Sequence, residues 1–329
     1  MLKILNGGIQ SLIVEWPGRI GYLNLGFAPS GPFDHFAART ANLIVGNPIT
    51  EAVIEIATGY FAAEFTTDTI IAVTGADFTS TLNGEPIPLW EAIEVKKGDV
   101  FESGKITKDT LGFREYLAVA GGFDIPPYMG SETTSLYGGF GGYKGRALKT
   151  GDVLPLRKPS KKLEDLVDRK VNPKFIPKYD KEWELKAIPG PNGAPDFFAE
   201  EGMEQFFSTK YQVQIESDRS GIRLSGSKPI WSESRKKECK GHPSNIFDHG
   251  YPVPGTVNVT GDTPIILGPE GPTLGGFVCA MHVIYADQWK LGQMYPGRDI
   301  VKFKYCTLKE ATHLRKEQNR LFTETSLLK

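Results

Sequence analysis

The stretch TVNVTGDTPIILGPEGPTLGGFVCAMHVIY, residues 256–285, decides the fold class. It contains three short runs of β-branched and apolar residues, and glycine, proline or aspartate separates each run from the next. Runs of this kind are typical of strands, and the separating residues are those that tight turns require. The glycine pair Gly275-Gly276 would let a second strand cross close by. The stretch therefore predicts consecutive strands of one sheet.

The same pattern recurs along most of the chain. Further short β-type runs are AVIEIA, TIIAVTGA, FTSTLNG, FREYLAVAGG and YQVQIES. The 37 glycines and 23 prolines follow no repeat period, which agrees with many turns between short strands. We expect a mainly β fold, an antiparallel barrel or sandwich, with a few short helices.

Three segments are expected to be helical. In residues 33–44 apolar side chains recur at helical spacing, Ser30 or Asp34 can cap the start, and the sequence Gly-Asn-Pro at 46–48 stops the helix. The segment DFFAEEGMEQFF, residues 196–207, is helix-like, and the mixed-charge tail from about Leu308 is expected to form a C-terminal helix.

The length of the chain predicts two domains. At 329 residues it exceeds the size at which one hydrophobic core usually stops growing. The stretch RKPSKKLEDLVDRKVNPKFIPKYDKEW, residues 157–183, is dense in charge and proline, as an interdomain connection would be. We therefore expect an N-terminal β-barrel domain over 1–160, a charged linker over 161–185, and a C-terminal β-barrel domain with its helix over 186–329.

Composition narrows the possible functions. The formal net charge is −1, so no strongly basic surface is expected to bind nucleic acid or an anionic membrane. The three cysteines are widely spaced and form no close pair, so neither a disulfide framework nor a zinc ribbon is predicted. The sequence has no apolar run of about 18 residues that could span a membrane. These features predict a cytoplasmic protein that holds no metal.

The loop KGHPSNIFDHG, residues 240–250, concentrates polar groups without hydrophobic periodicity. Three interpretations are open. Cys239, His242, Asp248 and His249 could bind a metal, but their spacing matches neither Cys-x2-4-Cys nor His-x3-5-His. Asn245 and Asp248 could instead bond neighbouring backbone amides in an ordinary proline-stiffened turn. The third interpretation is a catalytic or substrate-binding loop.

A second polar region is LYGGFGGYKGRALKTGD, residues 136–152. It lacks the GxxxxGK[ST] order of a phosphate loop. Its glycines would still let backbone N–H groups approach a ligand, and Lys144 and Arg146 add positive charge, so an anion or oxyanion pocket is possible. The alternative is a bulge-rich turn inside a barrel.

Several segments together resemble a known family. They are PSGPFDHFAARTANLIVGN, GGFGGYKGRALKTGD, SDRSGIRLSG and PGTVNVTGDTPIILGPEGPTLGGF. They are similar to the allophanate-hydrolase-subunit-2 half of biotin-dependent carboxyltransferases, from about Gly8 to Phe303. Within that family the sequence HPSNIFDHGY and the glycine-rich stretch after it resemble urea carboxylase and urea amidolyase more than the 5-oxoprolinase branch.

The resemblance implies a fold and a reaction. The fold is a pair of cyclophilin-like β-barrel domains. The reaction moves a carboxyl group from N1′ of carboxybiotin to a nitrogen of urea or of a related acceptor such as guanidine. Such acceptors are poor nucleophiles, so we expect donors that stabilise the biotin ureido oxygen and a carboxylate that orients the acceptor.

The resemblance also implies roles for individual residues. Asp248 and Asn245 are expected to bind the acceptor, Asp248 could assist proton removal, and His242 could orient groups or carry a proton. Further acceptor contacts are expected from Thr273 and Gly275. The residues expected to hold biotin or its oxyanion are Gly141, Gly142, Lys144, Arg146 and Gly276.

Partners follow from the same resemblance. Complete enzymes of this kind also contain a biotin carboxylase, a subunit-1-type carboxyltransferase partner and a biotin carboxyl carrier with a biotinylated lysine. The sequence CAMHV at 279–283 lacks that lysine. We therefore expect the chain to work with separate partners. Two alternatives stay open: a subunit of an ATP-dependent 5-oxoprolinase, and a regulatory binding protein without catalytic activity.

Overall fold

The computed structural model describes residues 1–246 and 253–328, and these form mostly β-structure with a few short helices. The predicted fold class is confirmed. The structure divides into two compact units. The first comprises Met1–Ile20, Pro29–Tyr179 and Gln318–Lys329, and the second comprises Gly21–Ala28 and Asp180–Glu317. Each unit thus incorporates a segment distant in sequence from its main part.

The strands are numbered in chain order. They are β1 Leu2–Gly7, β2 Gln10–Val14, β3 Val53–Ala57, β4 Phe61–Phe65, β5 Thr69–Gly75, β6 Thr81–Leu82, β7 Glu85–Pro86, β8 Ala92–Val95, β9 Val100–Glu102, β10 Arg114–Val119, β11 Val153–Leu154, β12 Lys170–Val171, β13 Glu182–Pro189, β14 Lys210–Val213, β15 Gly221–Ser225, β16 Thr256–Thr260, β17 Thr263–Leu267, β18 Val278–Val283, β19 Ile300–Tyr305 and β20 Leu327–Leu328. The helices are α1 His35–Ile44, α2 Glu200–Ser208, α3 Glu233–Glu238, α4 Tyr285–Gln288 and α5 Leu308–Arg320.

The helices agree with the sequence patterns. Helices α1, α2 and α5 lie in the three segments predicted to be helical. Asp34 caps α1, because its side chain accepts a hydrogen bond from the Ala37 N–H at 2.9 Å. In the described part of the chain, no helix is long and apolar enough to cross a membrane.

The first unit is built on two antiparallel sheets. Within the described residues one sheet has the order β11-β1-β4-β9-β6-β7 and the other β2-β3-β10-β5-β8. Side chains from both sheets form one apolar core, with Ile4, Phe61, Phe101, Ile54 and Leu117 almost completely buried. The two sheets are therefore held together mainly by burial of apolar surface.

A buried polar network ties the start of α1 to the second sheet. The Tyr116 hydroxyl donates to Glu55 at 2.8 Å and accepts from the Asp34 N–H at 2.7 Å. The Phe33 N–H donates to the same Glu55 oxygen at 2.8 Å, and Arg114 lies 3.3 Å from the other. Buried polar groups are stable only when they are bonded, so this network fixes where α1 begins.

The charged stretch between the two predicted domains divides at Tyr179. Residues 161–179 belong to the first unit and residues 180–185 to the second. In the first unit, β12 pairs with β20 from the C-terminus, and Phe322 packs edge-on against Phe36 of α1 at 5.2 Å. The division into domains over 1–160 and 186–329, joined by a linker over 161–185, stays a prediction.

The second unit contains a closed barrel. Its strand order in the described part is β13-β18-β16-β17-β15-β14-β19, and β19 returns to β13 by a parallel pairing. The barrel interior is apolar; among its fully buried side chains are Leu185, Val257, Ile266, Met281 and Phe303. Among the described strands of this sheet, closure leaves no free edge.

The strands predicted from residues 256–285 are all present, as β16, β17 and β18. Thr260 pairs with Thr263, so β16 and β17 are joined by the two residues Gly261 and Asp262. Gly261 has φ +59°, the left-handed conformation that this short turn requires. We call Gly261-Asp262 the hairpin tip.

The buried carboxyl group of Glu115 on β10 predicts a pH dependence of folding stability. Burial raises its pKa to about 7 from an ordinary value of 4.5, although the Ser80 hydroxyl, which donates at 2.7 Å, opposes the rise. The folded protein therefore binds this proton more tightly than the unfolded chain. Protonation of Glu115 therefore stabilises the folded protein fully below about pH 4.5, and this stabilisation is lost as the pH rises through about 7.

Glu115→Gln should remove this loss, which corresponds to roughly 3 kcal/mol in the free energy of unfolding between low and high pH. Urea unfolding between pH 5 and pH 9 measures it. The wild type should lose more stability over this range than Glu115→Gln, while Glu102→Gln, on the exposed side of β9, should follow the wild type. Parallel curves for all three proteins would contradict the prediction.

Candidate functional site

The loop that follows α3 in the second unit is described from Cys239 to Ile246. We call residues 239–246 the polar loop. Arg235 of α3 donates from Nε to the Pro243 carbonyl at 2.9 Å and also from Nη2 to the Asn245 carbonyl. The Cys239 thiol donates to the Asn245 carbonyl at 3.2 Å. The backbone of an irregular segment is thus bonded to the helix that precedes it.

The hairpin tip holds the polar loop through a second set of contacts. The Gly261 N–H donates to the Ser244 hydroxyl at 3.0 Å. His242 Nε2 lies 3.2 Å from Asp262 Oδ1, and His242 Nδ1 lies 2.9 Å from the Ser244 hydroxyl. The Ser244 backbone N–H also donates to Nδ1, at 3.2 Å. Both ring nitrogens of His242 are therefore engaged within the protein.

Asp262 is a carboxylate with several donors around it. Trp231 Nε1 donates to Oδ1 at 3.4 Å, and Lys228 Nζ lies 3.4 Å from Oδ2. Partial burial raises the pKa of Asp262, but the hydrogen bonds from Trp231 and Lys228 and the neighbouring His242 outweigh it and lower the pKa below its usual value. Asp262 is therefore ionised near neutral pH.

One predicted biotin contact, Gly276, lies beside the polar loop that carries the predicted acceptor residue Asn245. Asn245 is exposed on the polar loop. A Cβ at Gly276 would lie 3.8 Å from the carbonyl oxygen of Ile246, so this glycine lies beside the polar loop. Gly275 and Thr273 precede it in the same turn between β17 and β18. The predicted Asp248 lies outside the described residues, as does His249.

Of the four candidate metal ligands in the loop, the structure describes only Cys239 and His242. In the part of the chain that the structure describes, no three His, Cys, Asp or Glu side chains come together as they would around a metal ion. His242 instead pairs with Asp262, and Cys239 bonds a carbonyl.

The glycine-rich region 136–152 lies in the first unit, so its residues and the polar loop belong to different units. A Cβ at Gly141 would overlap the Thr133 carbonyl oxygen, and one at Gly142 would overlap the Thr134 hydroxyl. Both glycines have positive φ. Close packing within the protein therefore accounts for glycine at both positions.

The two cations of this region differ in availability. Arg146 makes a bidentate pair with Asp152, with N···O distances of 2.7 and 2.8 Å, and also donates to the Ala147 carbonyl. The Lys144 side chain is 61% exposed and lies 3.8 Å from the same carboxylate. Lys144 can reach a ligand from this position, whereas the Arg146 guanidinium already has a carboxylate partner.

Four residues that hold the polar loop were not predicted from the sequence: Arg235, Ser244, Trp231 and Asp262. Asp262 had a detectable signal, because a Gly-Asp pair between two strand-like runs marks a hairpin tip. Arg235 lies in a run of charges that resembles a solvated helix face, and nothing in the local sequence distinguishes it.

Comparisons with known proteins agree with this architecture. A family model described as "Carboxyltransferase domain, subdomain A and B" matches residues 25–305. The chain is 41% identical to urea amidolyase of Saccharomyces cerevisiae over 322 residues, which cover 97% of this chain and 17% of that protein. It is 33% identical to a 5-oxoprolinase subunit of Escherichia coli over 327 residues, covering 98% and 97% of the two chains.

A solved structure has the same fold. The Kluyveromyces lactis urea carboxylase superposes with a TM-score of 0.92 at 40% identity, covering 100% of this chain and 30% of that one. The chain therefore belongs to the carboxyltransferase domain family. More particularly, it is homologous to the carboxyltransferase part of urea carboxylase and urea amidolyase, as the sequence predicted. It spans about a sixth of the length of the urea amidolyases that it matches.

The close packing of Gly142 makes a prediction about stability. Gly142→Ala should destabilise the first unit by roughly 2 kcal/mol or more, since the new Cβ combines a steric clash with a positive φ. Gly139→Ala is the matched control: Gly139 has φ +68°, and no described atom lies within 4 Å of an added Cβ. Urea unfolding of the two variants should show the larger loss for Gly142→Ala. Equal losses would mean that the contact with Thr134 is unimportant.

Proposed function

We propose that the chain is the carboxyltransferase component that moves a carboxyl group from carboxybiotin to urea or to a related amide-type nitrogen acceptor, guanidine included. The observation that carries this proposal is the 40% identity and 0.92 TM-score to Kluyveromyces lactis urea carboxylase over the whole chain. The polar loop adds support, because it holds an exposed amide side chain on a backbone fixed from two sides.

Acceptor binding is assigned to Asn245 and Asp248, with Thr273 and Gly275 as further contacts. The Asn245 amide offers N–H donors and a carbonyl acceptor, which complement the N–H and C=O groups of urea. A weak nucleophile reacts faster when it is held in the correct orientation, and a nearby carboxylate can accept the proton that it loses. We assign that second role to Asp248.

His242 is assigned the role of an orienting group. Its two ring nitrogens already contact Ser244 and Asp262, so a proton-carrying role would require it to give up one of these contacts. The proposal therefore places His242 behind the acceptor site.

Carboxybiotin reaches this chain on a separate carrier and supplies the carboxyl group as a substrate. The residues proposed to hold it fit unequally. Lys144 is exposed and Gly276 lies beside the polar loop, so both can contact an incoming ligand. Arg146 is paired with Asp152, and Gly141 and Gly142 pack against the protein itself. We propose Lys144 as a biotin contact of the first unit, supported by Gly141, Gly142 and Arg146, and we separately propose Gly276 as a biotin contact of the second unit.

The partners proposed for the reaction are a subunit-1-type carboxyltransferase chain, a biotin carboxyl carrier and a biotin carboxylase. The solved urea carboxylase and the urea amidolyases are much longer than this chain, which covers 17–30% of them. We propose that the chain supplies half of a composite active site and is inactive without the subunit-1-type partner.

A second candidate function is a role as one subunit of an ATP-dependent 5-oxoprolinase. The match to the Escherichia coli 5-oxoprolinase subunit supports it, since it covers 97% of that protein. Its lower identity, 33% against 41% for the yeast urea amidolyase, favours the carboxyltransferase.

Reconstitution with the subunit-1-type partner and carboxylated carrier tests the proposal. Urea or guanidine should accelerate loss of the carboxyl group from the carrier, with carboxylated acceptor as the product. If neither accelerates it and 5-oxoproline is consumed with ATP instead, the second candidate function is correct.

Asn245→Ala should raise the acceptor KM roughly 10-fold or more in this assay, because groups of the acceptor would lose their partners. Lys240→Ala, an exposed change in the same loop, is the control and should leave KM unchanged. Unchanged kinetics for Asn245→Ala, with normal folding, would remove Asn245 from the acceptor site.

A further inference from the structure

Three side chains of the second unit form a continuous chain of contacts, from Asp262 through His242 to Ser244. Asp262 Oδ1 lies 3.2 Å from His242 Nε2, and His242 Nδ1 lies 2.9 Å from the Ser244 hydroxyl. The order of groups is that of a carboxylate, imidazole and hydroxyl triad for acyl transfer. The surroundings of Ser244 decide whether these three side chains act as a catalytic triad or hold the loop in place.

Ser244 is placed as a structural group rather than as a nucleophile. The residue is only 7% exposed, and its hydroxyl oxygen accepts the Gly261 N–H at 3.0 Å. Its own backbone N–H donates to the same imidazole nitrogen that its hydroxyl approaches. A nucleophile must be accessible and have a base whose lone pair is available to it. Ser244 fails the first requirement because it is buried, and the Nδ1 lone pair that faces its hydroxyl is shared with a backbone N–H.

The contacts define the tautomer of His242. A backbone N–H can only donate, so Nδ1 must be an acceptor, and the ring proton of the neutral imidazole is on Nε2. That proton points to Asp262, which is a carboxylate that can accept it. The Ser244 hydroxyl then donates to Nδ1 while it accepts from Gly261. Each hydrogen-bond donor among these contacts therefore faces an acceptor.

We propose that Asp262 is a positioning residue of the acceptor site: through His242 and Ser244 it holds the turn that presents Asn245. The turn itself is closed by the Asn245 N–H, which donates to the His242 carbonyl at 2.9 Å. The proposal rests on the proposed function only in naming what Asn245 binds. The role of Asp262 in holding the loop stands on the contacts themselves.

The rigidity of the loop comes from the barrel. Asp262 and Gly261 form the hairpin tip, whose position is fixed by the pairing of Thr260 with Thr263. Both residues of the tip contact the polar loop, one through a side chain and one through a backbone N–H. A site held by rigid elements keeps its binding groups in place better than a free loop. The position of the Asp262 oxygen that faces His242 should therefore matter more for holding the loop than the charge of Asp262.

Matched variants separate geometry from charge. Asp262→Ala removes the acceptor for His242 Nε2. Asp262→Asn keeps an oxygen at that place, so it should rescue most of the function. Lys228→Ala removes a cation that is 83% exposed from the same carboxylate and should change little, because exposed ion pairs contribute little.

The first readout needs no activity. In the wild type, nitrogen NMR of the His242 ring at pH 8 should show the proton on Nε2, with His242→Gln identifying the signal among the five histidines. Asp262→Ala should mix the two tautomers and shift the side-chain amide signal of Asn245, identified with Asn245→Ala. Asp262→Asn and Lys228→Ala should leave both signals close to the wild type.

The second readout is the acceptor KM in the reconstituted assay. Asp262→Ala should raise it roughly 10-fold, because a misplaced Asn245 binds the acceptor less well, whereas Lys228→Ala should leave it unchanged. Unchanged NMR signals, or changed signals with an unchanged KM, would overturn the positioning role. Stoichiometric labelling of Ser244 by a fluorophosphonate would also overturn it, because it would show an accessible nucleophile.

Failure of the proposed function gives a different result. In that case the wild type itself would show no acceptor-dependent turnover, whereas the NMR signals of His242 and Asn245 would still respond to Asp262→Ala. The loop-holding role of Asp262 would then stand, and the identity of the ligand would be the part that is wrong.

Discussion

The pairing of β16 with β17 is the constraint on which the candidate site depends. Because Thr260 pairs with Thr263, the hairpin has a two-residue tip, and both Gly261 and Asp262 contact the polar loop. A shift of this register by one residue would turn the apolar side chains of the shifted strand out of the barrel interior. Burial of these side chains therefore fixes the register of the two strands, and with it the position of the candidate site.

The polar loop has no regular structure of its own over its described residues, so its backbone groups need partners from outside. Arg235 of α3 bonds two of its carbonyls, and the hairpin tip bonds Ser244 and His242. An exposed amide on such a fixed loop loses little conformational freedom when it binds a small polar acceptor. This is the physical link between the fold of the second unit and the proposed carboxyl transfer.

The first unit also contains a glycine-rich region, but there the glycines serve packing within the protein. Its glycine-rich region suggested a ligand pocket, but Gly141 and Gly142 lie so close to Thr133 and Thr134 that packing alone requires glycine. Arg146 likewise has an internal partner. Local sequence indicates that the backbone approaches something closely; it does not indicate whether that is a ligand or another part of the chain.

The sequence by itself determined the strands, the turn residues and the Asp34-capped helix, because these depend on side-chain alternation, on φ and on neighbouring hydrogen bonds. It also carried the family, through motifs spread along the chain. Only the tertiary structure decided that β13 pairs with β19, that the C-terminal segment joins the first unit, and that Asp262 meets His242. These contacts join residues far apart in sequence, and such pairing leaves no trace in local composition.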